Sequence, residues 1–447
     1  MDVARIDPAP VVPAAVGELL GRLRAAGGRV WLVGGTVRDL LLGVVPRDYD
    51  IATDLVPAQV ARVLPDADHR HADLGACRVL SASGPVAITS LRADGKYGDH
   101  RHPDSVRFVR EPEVDALRRD FTINALYLDV ERSEILDFTG GRRDLAARTL
   151  RTIGEPSRRF GEDALRLLRG LRFAARFDLE IEAATAAAMT EAAPTLSVLS
   201  PERTFAELSD AFTSRGRGRA LQLLVELGLA AVVLPEVAAM RGVTQPPLYH
   251  PEGDVLTHVC LVLDHVPEGD LGLAWSAVLH DVGKPPTWRL AADRIRFDGH
   301  DTLSARMADG ILQRLRASTE LRDLVVEICE KHIHFAALPQ MRPRRRERWM
   351  RTPHFRRHLE FHRADCLGSH GKLEIYEFAR AMLEQLPPVE APLVVGKDVL
   401  ALGIAEGPVV GRLLAQVQAA ADESPTPMNR DEALVLLRDM VARLRQG

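Results

Sequence analysis

The run Val33-Gly34-Gly35-Thr36-Val37-Arg38-Asp39, closely followed by Arg47-Asp48-Tyr49-Asp50, constrains this chain more than any other feature. Val30-Trp31-Leu32-Val33 is apolar and β-favouring. Two glycines end it, and the segment from Thr36 to Leu42 reads as a helix capped by Thr36. A strand, a glycine turn and a helix N-terminus offer unpaired N–H groups to an anion, and glycines let a phosphate come close. Asp48 and Asp50 stand two apart, so on a strand they share a face. Two carboxylates beside a phosphate cradle supply the hard oxygen ligands of Mg2+-dependent phosphoryl or nucleotidyl transfer. Either feature alone is as well explained by a tight turn or by solvated acids; their order and closeness favour chemistry.

The chain has 447 residues, too many for one core, so two to four domains are expected. A net charge of −4 means that any nucleic-acid contact must rest on local basic patches. Cys77, Cys260, Cys329 and Cys366 are scattered with no C-x-x-C pair, which fits reduced intracellular thiols better than a disulfide scaffold. The N-terminus, with Asp2, Asp7 and prolines, does not read as a signal peptide, and no apolar run reaches membrane-spanning length. The expectation is a cytoplasmic protein with no membrane partner.

Residues 12–26 read as an amphipathic helix, Pro57 to Val63 as a short one, and 77–81, 86–91 and 106–109 as strands around a polar loop at 93–104. This predicts an α+β head with a small, mostly antiparallel sheet. Arg118-Arg119-Asp120-Phe121-Thr122-Ile123-Asn124 follows. It reads either as a salt-bridged helix start or as a sugar–phosphate site, because Arg donates to phosphate and carboxylate or amide oxygens accept from ribose hydroxyls. Phe160 to Phe173 then predicts one continuous helix on which Asp163 and Arg166 share a face. Two readings stand. One is an intrahelical ion pair worth a few tenths of a kcal/mol, about 0.3. The other is a base selector: the carboxylate accepts from the amino group of cytosine or adenine, and the guanidinium donates to the ring nitrogen. Guanine and uracil would leave a buried polar group unmet.

Together these strings resemble the class II CCA-adding tRNA nucleotidyltransferases and the related bacterial poly(A) polymerases, within the DNA polymerase β superfamily. The resemblance implies Asp48 and Asp50 as catalytic Mg2+ ligands. It implies nucleotide contacts at Gly34, Gly35, Thr36, Arg38, Arg119, Asp120, Asn124, Asp163, Arg166 and Arg169. Asp137-Phe138-Thr139-Gly140-Gly141 resembles the family's hinge between head and neck, and Ser200-Pro201-Glu202-Arg203 with Glu207 resembles a helix start that buttresses the template helix. Two departures stand out. Ala87 occupies the strand position where the family often carries an acid, and His100-Arg101-His102-Pro103 replaces Gly-Arg-Arg-Pro in a loop of full length, a length that in this family accompanies A addition.

From about Arg241 the character changes. His258, His280-Asp281, His300, His332 and Asp365 lie in helical surroundings and form a plausible divalent-metal cage. They resemble the HD phosphohydrolase superfamily, which implies His258, His280, Asp281 and Asp365 as ligands, His300 and His332 as ligands of a second ion, and a possible phosphatase or phosphodiesterase activity. Arg344, Arg345, Arg346 and Arg348 make the densest basic run, either a solvated face or a phosphate-backbone track. The near-neutral tail resembles the family's small C-terminal helical element against tRNA; its glycines read equally as helix caps.

The expected architecture is therefore a mixed-sheet nucleotidyltransferase head (1–150), a helical neck (151–240), an HD-type helical domain (241–385) and a helical tail (386–447). The expected function is template-independent addition of C and A from CTP and ATP to tRNA 3′ ends. The alternatives are a poly(A) polymerase, an A-adding tRNA nucleotidyltransferase, an RNA-binding protein with a dead site, and a hydrolase acting only through the His/Asp cluster.

Overall fold

The structure is a computed structural model and describes residues 4–5, 12–46, 48–95, 104–248, 250–386, 392–424 and 426–446. The first ten strands among the described residues are β1 (Ala4–Arg5), β2 (Val30–Val33), β3 (Tyr49–Thr53), β4 (Asp68–His71), β5 (Ala76–Ser81), β6 (Gly84–Ser90), β7 (Arg92–Asp94), β8 (Val106–Phe108), β9 (Leu126–Asp129) and β10 (Glu134–Asp137). Eight of them form one sheet in the order β1-β10-β9-β2-β3-β6-β5-β4. Every pairing in it is antiparallel except β3 with β6. Alternation along β2 sets the two faces: Val30 and Leu32 join one apolar cluster, Trp31 and Val33 the other. Helix α1 (Ala14–Ala25) buries Val16, Leu19, Leu20 and Leu23 on the first face. Helix α2 (Gly35–Leu41) leaves β2 through the glycine turn, and α3 (Pro57–Val63) begins at Pro57, whose fixed φ suits a first helical turn.

The strand expected at 106–109 is present as β8 but lies outside the main sheet. Instead β8 pairs with β7 in a separate two-stranded ribbon, so Ala93 and Asp94 are strand rather than loop. The expectation for the basic loop at His100-Arg101-His102-Pro103 lies outside the described residues.

Helix α4 (Pro112–Leu117) precedes the Arg118–Asn124 stretch, and α5 (Gly141–Ala146) follows β10. The junction before α5 is tightly tied. Asp137 Oδ1 accepts from the backbone N–H groups of Thr139, Gly140 and Gly141 at 3.1, 2.8 and 3.0 Å, and Oδ2 accepts from Arg142 at 2.9 Å. A Cβ on Gly141 would lie 2.1 Å from the Thr122 carbonyl oxygen, so glycine alone fits there.

The rest is helical: α6 (Pro156–Glu162), α7 (Leu165–Arg176), α8 (Ala183–Ala192), α9 (Pro201–Thr213), α10 (Arg217–Glu226) and further helices as far as Gln446. The single helix expected over 160–173 is broken. Asp163 is extended at φ −148°, ψ 108°, and α7 restarts behind it with Leu165 N–H donating to Asp163 Oδ1 at 3.1 Å. An Asp at this position satisfies an orphan donor of the new helix, which competes with continuing the old one. One apolar cluster then runs from Phe121 to Ala364, with Trp275 between Phe205 and Phe212 and donating to Ser209 Oγ at 3.0 Å. Two smaller clusters sit at 335–386 and 393–441. Among the described residues no helix is long and apolar enough to cross a membrane.

Replacing Asp137 with Ala removes four charge-assisted bonds at once and should destabilise the protein by about 2 kcal/mol, read as a lowered denaturation midpoint of the full chain.

Candidate active site

Gly34, at φ +64°, caps α2; Thr36 does not. Thr36 sits in the first turn, where its Oγ1 accepts from Asp50 N–H at 2.8 Å and donates to the Asp48 carbonyl at 3.3 Å. The helix that follows the glycines is thereby pinned to the acidic strand. β3 begins at Tyr49, so Asp48 lies exposed just ahead of the strand and Asp50 half-buried within it. A Cβ on Gly34 would stand 3.5 Å from Asp50 Oδ2 and 3.3 Å from an Arg119 guanidinium nitrogen. The turn, a carboxylate and a cation thus converge on one point. Burial raises the Asp50 carboxyl above its ordinary value; Arg119 opposes this and Asp48 adds to it. Adjacent carboxylates, one of them half-buried, suit a divalent cation with hard oxygen ligands. Ala87 stands in register beside Asp50 on β6, so this neighbouring position contributes a methyl group and no third ligand.

Arg119 is held from behind. Asp115 Oδ2 accepts from its Nε and one terminal nitrogen at 3.2 and 3.1 Å, and Tyr127 Oη lies 3.0 Å from Nε while donating to the same carboxylate at 2.5 Å. Asp120 and Asn124 face inward. Asp120 Oδ2 accepts from Arg169 Nε and Nη2 at 2.9 and 2.7 Å, and Oδ1 accepts from Phe121 N–H and Asn124 Nδ2. Asn124 Oδ1 accepts from Arg38 at 2.6 Å. Arg38 also pairs with Asp39 and lies 4.0 Å over the Phe177 ring. A continuous chain, Arg38–Asn124–Asp120–Arg169, thus ties α2 and the 3-10 turn Thr122–Asn124 to α7.

Asp163 and Arg166 do not pair with each other. Arg166 is buried, its Nη1 donating to Glu162 Oε2 at 2.8 Å and to the Arg159 carbonyl at 2.9 Å. Asp163 Oδ1 lies 3.4 Å from Arg203 Nη2. Arg203 is on α9, whose N-cap is Ser200, and Glu207 on the same helix accepts from Arg172 at 2.5 Å. The Ser200–Glu207 run therefore does brace α7. A cleft of about 650 Å³ opens beside Asp48, walled by Arg172 and Arg176 of α7, Asp210 and Thr213 of α9, and Glu268. Asp115 and Tyr127 were not singled out in the sequence, and Glu162 stood there only as the first residue of the Glu-Asp-x-x-Arg string that resembles the family's template helix, not as the partner of Arg166. Asp115 and Glu162 were legible as partners at helical spacing from Arg119 and Arg166; Tyr127 reaches Arg119 only through the sheet.

A second cluster lies in the helical half, around a cavity of about 490 Å³ lined by His250, His258, His280, Asp281, Lys284, His300, His332 and Asp365 among others. Asp281 is its centre. Its Oδ2 is 3.6 Å from His258 Nε2, 3.2 Å from His280 Nε2 and 2.8 Å from Lys284 Nζ; its Oδ1 is 3.6 Å from His300 Nε2 and 3.9 Å from His332 Nε2. Asp365 Oδ1 lies 3.1 Å from His258 Nε2. Neither Asp281 oxygen accepts a well-directed hydrogen bond although both are buried, and three of the histidines turn their Nδ1 to backbone carbonyls, which leaves Nε2 facing the carboxylates. Such a donor set fits divalent-ion coordination. Lys284, His250 and Glu252 belong to this cluster and were not anticipated.

The basic run begins the helix Pro343–Met350. Arg345 is exposed and Arg344 half-buried. Arg348 instead pairs with buried Asp422 and donates to the Gln418 carbonyl at 3.0 Å, and Arg346 lies over the Phe378 ring. Two of the four arginines thus hold the fold together.

Burial alone would raise the Asp120 carboxyl, but Arg169 outweighs it and the group is pushed down to about 2. A carboxyl depressed in the folded state stabilises above its unfolded pKa and loses that contribution as pH falls. The stability difference between wild type and Asp120→Asn should therefore be level above about pH 5 and shrink as pH falls from about 4 towards 2, measured by denaturant titration at each pH.

Residues 30–151 match the family described as the Poly A polymerase head domain, and residues 178–241 match a probable RNA and SrmB-binding site of polymerase A. A CCA-adding enzyme of Streptococcus suis is 40% identical over 220 residues, 49% of this chain and 54% of that protein. A CCA-adding enzyme of Geobacillus stearothermophilus is 40% identical over 223 residues, with the same shares covered. The chain thus spans about half the length of the curated relatives it matches. The crystal structure of the Bacillus stearothermophilus CCA-adding enzyme in complex with CTP superposes with a TM-score of 0.72 at 24% identity, covering 97% of this chain and 98% of that one. The Thermotoga maritima CCA-adding enzyme complexed with tRNA gives 0.59 at 17% identity, covering 99% and 100%. The chain thus carries a stretch similar to the Poly A polymerase head domain over residues 30–151, and its fold is that of the solved CCA-adding enzymes.

Proposed function

We propose that this protein adds C and A, from CTP and ATP, to the 3′ end of tRNA without a nucleic-acid template, releasing pyrophosphate. The observation that carries this reading is the convergence of the Gly34 turn, Asp50 and Arg119 on one point beside the Asp48 cleft. Similar proteins that bind CTP, ATP and tRNA support the choice of substrates. In this reading the head is 1–150, the base-selecting neck 151–240, the HD-type domain 241–385 and the tRNA-contacting tail 386–447, working in the cytoplasm. With the Gly34 N–H taken by the Leu126 carbonyl, the Gly35 N–H at the start of α2 receives the triphosphate, and Arg119 adds positive charge as negative charge builds on the leaving group. Asp48 and Asp50 would hold Mg2+, which supplies Lewis-acid activation of the attacking tRNA hydroxyl. Asp120 and Asn124, occupied by Arg169 and Arg38, set the nucleotide's sugar pocket as its frame. Asp163 Oδ2 accepts no hydrogen bond among the described residues and would take the base amino proton, while Arg166, braced by Glu162, addresses the ring nitrogen. Arg344 and Arg345 would lead the track for the RNA backbone, with Arg346 and Arg348 on the same helix adding positive charge besides their contacts to Phe378 and Asp422.

The test is incubation with tRNAs lacking CCA, lacking only A, or bearing an unrelated 3′ end, with CTP and ATP separately and together. CCA should be completed on the first and A alone on the second, and Asp48→Ala should lower incorporation by at least about 1,000-fold. Repeated A on generic RNA with no use of CTP would make the protein a poly(A) polymerase; A addition only to ends already carrying CC would make it an A-adding enzyme.

The His/Asp cluster supports a second reading, a metal-dependent phosphohydrolase, because the buried Asp281 oxygens lack hydrogen bonds amid four histidines. Asp281→Ala should abolish phosphate-ester hydrolysis and lower bound divalent metal while nucleotide addition persists. Hydrolysis and metal content equal to wild type would end that reading.

A further inference from the structure

Glu252 lies outside the His/Asp cluster's inner circle, yet its side chain is only 6% exposed. Its Oε1 is 2.9 Å from His258 Nδ1 and 2.9 Å from His250 Nδ1, and Oε2 is buried with no hydrogen-bond partner. The two rings meet edge to face at 4.8 Å. On its other side His258 turns Nε2 toward Asp365 at 3.1 Å, His280 at 3.3 Å and Asp281 at 3.6 Å. His258 is thus the imidazole with a carboxylate behind it and the candidate metal donors in front. The other acceptor near Nδ1 is the Gly368 carbonyl, more distant at 3.3 Å and uncharged.

The segment that delivers Glu252 is tied at both ends by backbone hydrogen bonds. Gln245 N–H donates to the Gly253 carbonyl at 2.9 Å and Val255 N–H to the Val243 carbonyl at 3.0 Å. Asp254 caps the helix Val255–His265 and also accepts from Gly242 N–H at 2.5 Å. Gln245 Oε1 accepts from Lys284 at 2.6 Å, and Lys284 is the cation against Asp281. The segment is therefore anchored both to its own helix and to the centre of the cluster.

We propose that Glu252 is a positioning residue for the metal centre: its carboxylate holds the His258 proton on Nδ1 and keeps Nε2 bare and aimed at the ion. A carboxylate behind a ligating imidazole fixes its tautomer and raises its basicity. In this role Glu252 acts through His258 and not as a ligand of its own. The inference rests on the metal reading of this cluster.

The test titrates Mn2+ alone into the full-length protein by calorimetry, comparing wild type, Asp281→Ala, Glu252→Ala and Glu252→Gln; melting in a chelator checks the fold of each variant. The binding step lost in Asp281→Ala defines the site, separating it from ions held by Asp48 and Asp50. Glu252→Ala should weaken that step by about 10- to 100-fold with an unchanged chelated melting temperature. Glu252→Gln, which keeps the size and one acceptor oxygen, should fall between it and wild type and serves if the alanine variant does not fold. Affinity in both Glu252 variants within twofold of wild type would overturn the proposal alone. Equal Mn2+ binding by wild type and Asp281→Ala would overturn the metal reading and the proposal with it.

Discussion

The contact on which the arrangement of the head depends is the ion pair between buried Asp120 and half-buried Arg169. Asp120 belongs to the head's turn and Arg169 to the first long helix behind it. Through Asn124 the pair continues to Arg38 on α2, the helix whose N-terminus is the Gly34 turn. Breaking a pair of this kind leaves one charge buried and uncompensated, so the cost of separating the elements is high. The angle between the glycine turn and α7 is fixed by electrostatics and by the Phe121–Phe173 contact.

The helices behind the head repeat this logic. Asp163 turns out of the helix it was expected to join, caps α7 and meets Arg203; Glu162 takes over Arg166; Glu207 takes Arg172. α7 therefore carries a row of arginines in which Arg166, Arg169 and Arg172 are each met by a carboxylate from another element. A row so braced changes little on binding, which favours recognition by a preformed surface. The apolar cluster running from Phe121 to Ala364 carries the same rigidity into the helical half, where the second His/Asp cluster is assembled.

The two acidic centres differ in construction. Asp48 is exposed at the edge of a cleft of about 650 Å³. Asp281 sits at the bottom of a lined cavity with every neighbouring histidine oriented by a second contact. An exposed acid beside a half-buried one suits a transient ion that arrives with a nucleotide; a buried Asp ringed by histidines suits a resident one.

Much of this was written locally in the sequence. The glycine turn, the acids after it, the Arg118–Asn124 string and the His280-Asp281 pair needed only short-range spacing, and each lies where its strand, turn or helix end places it. Resemblance to known families supplied the order of motifs and the reading of the His/Asp residues. Local pattern failed where a side chain's partner is remote. Thr36 reads as a cap, but the strand beyond it recruits its hydroxyl. Asp163 and Arg166 read as one helical face, but Asp163 breaks the helix and each finds a different partner. Arg348 reads as an RNA contact, but Asp422 lies across from it. Spacing along a chain determines which groups can share a face; which of them meet is decided by tertiary packing, because a buried charge is stable only with the counter-charge that the fold brings to it.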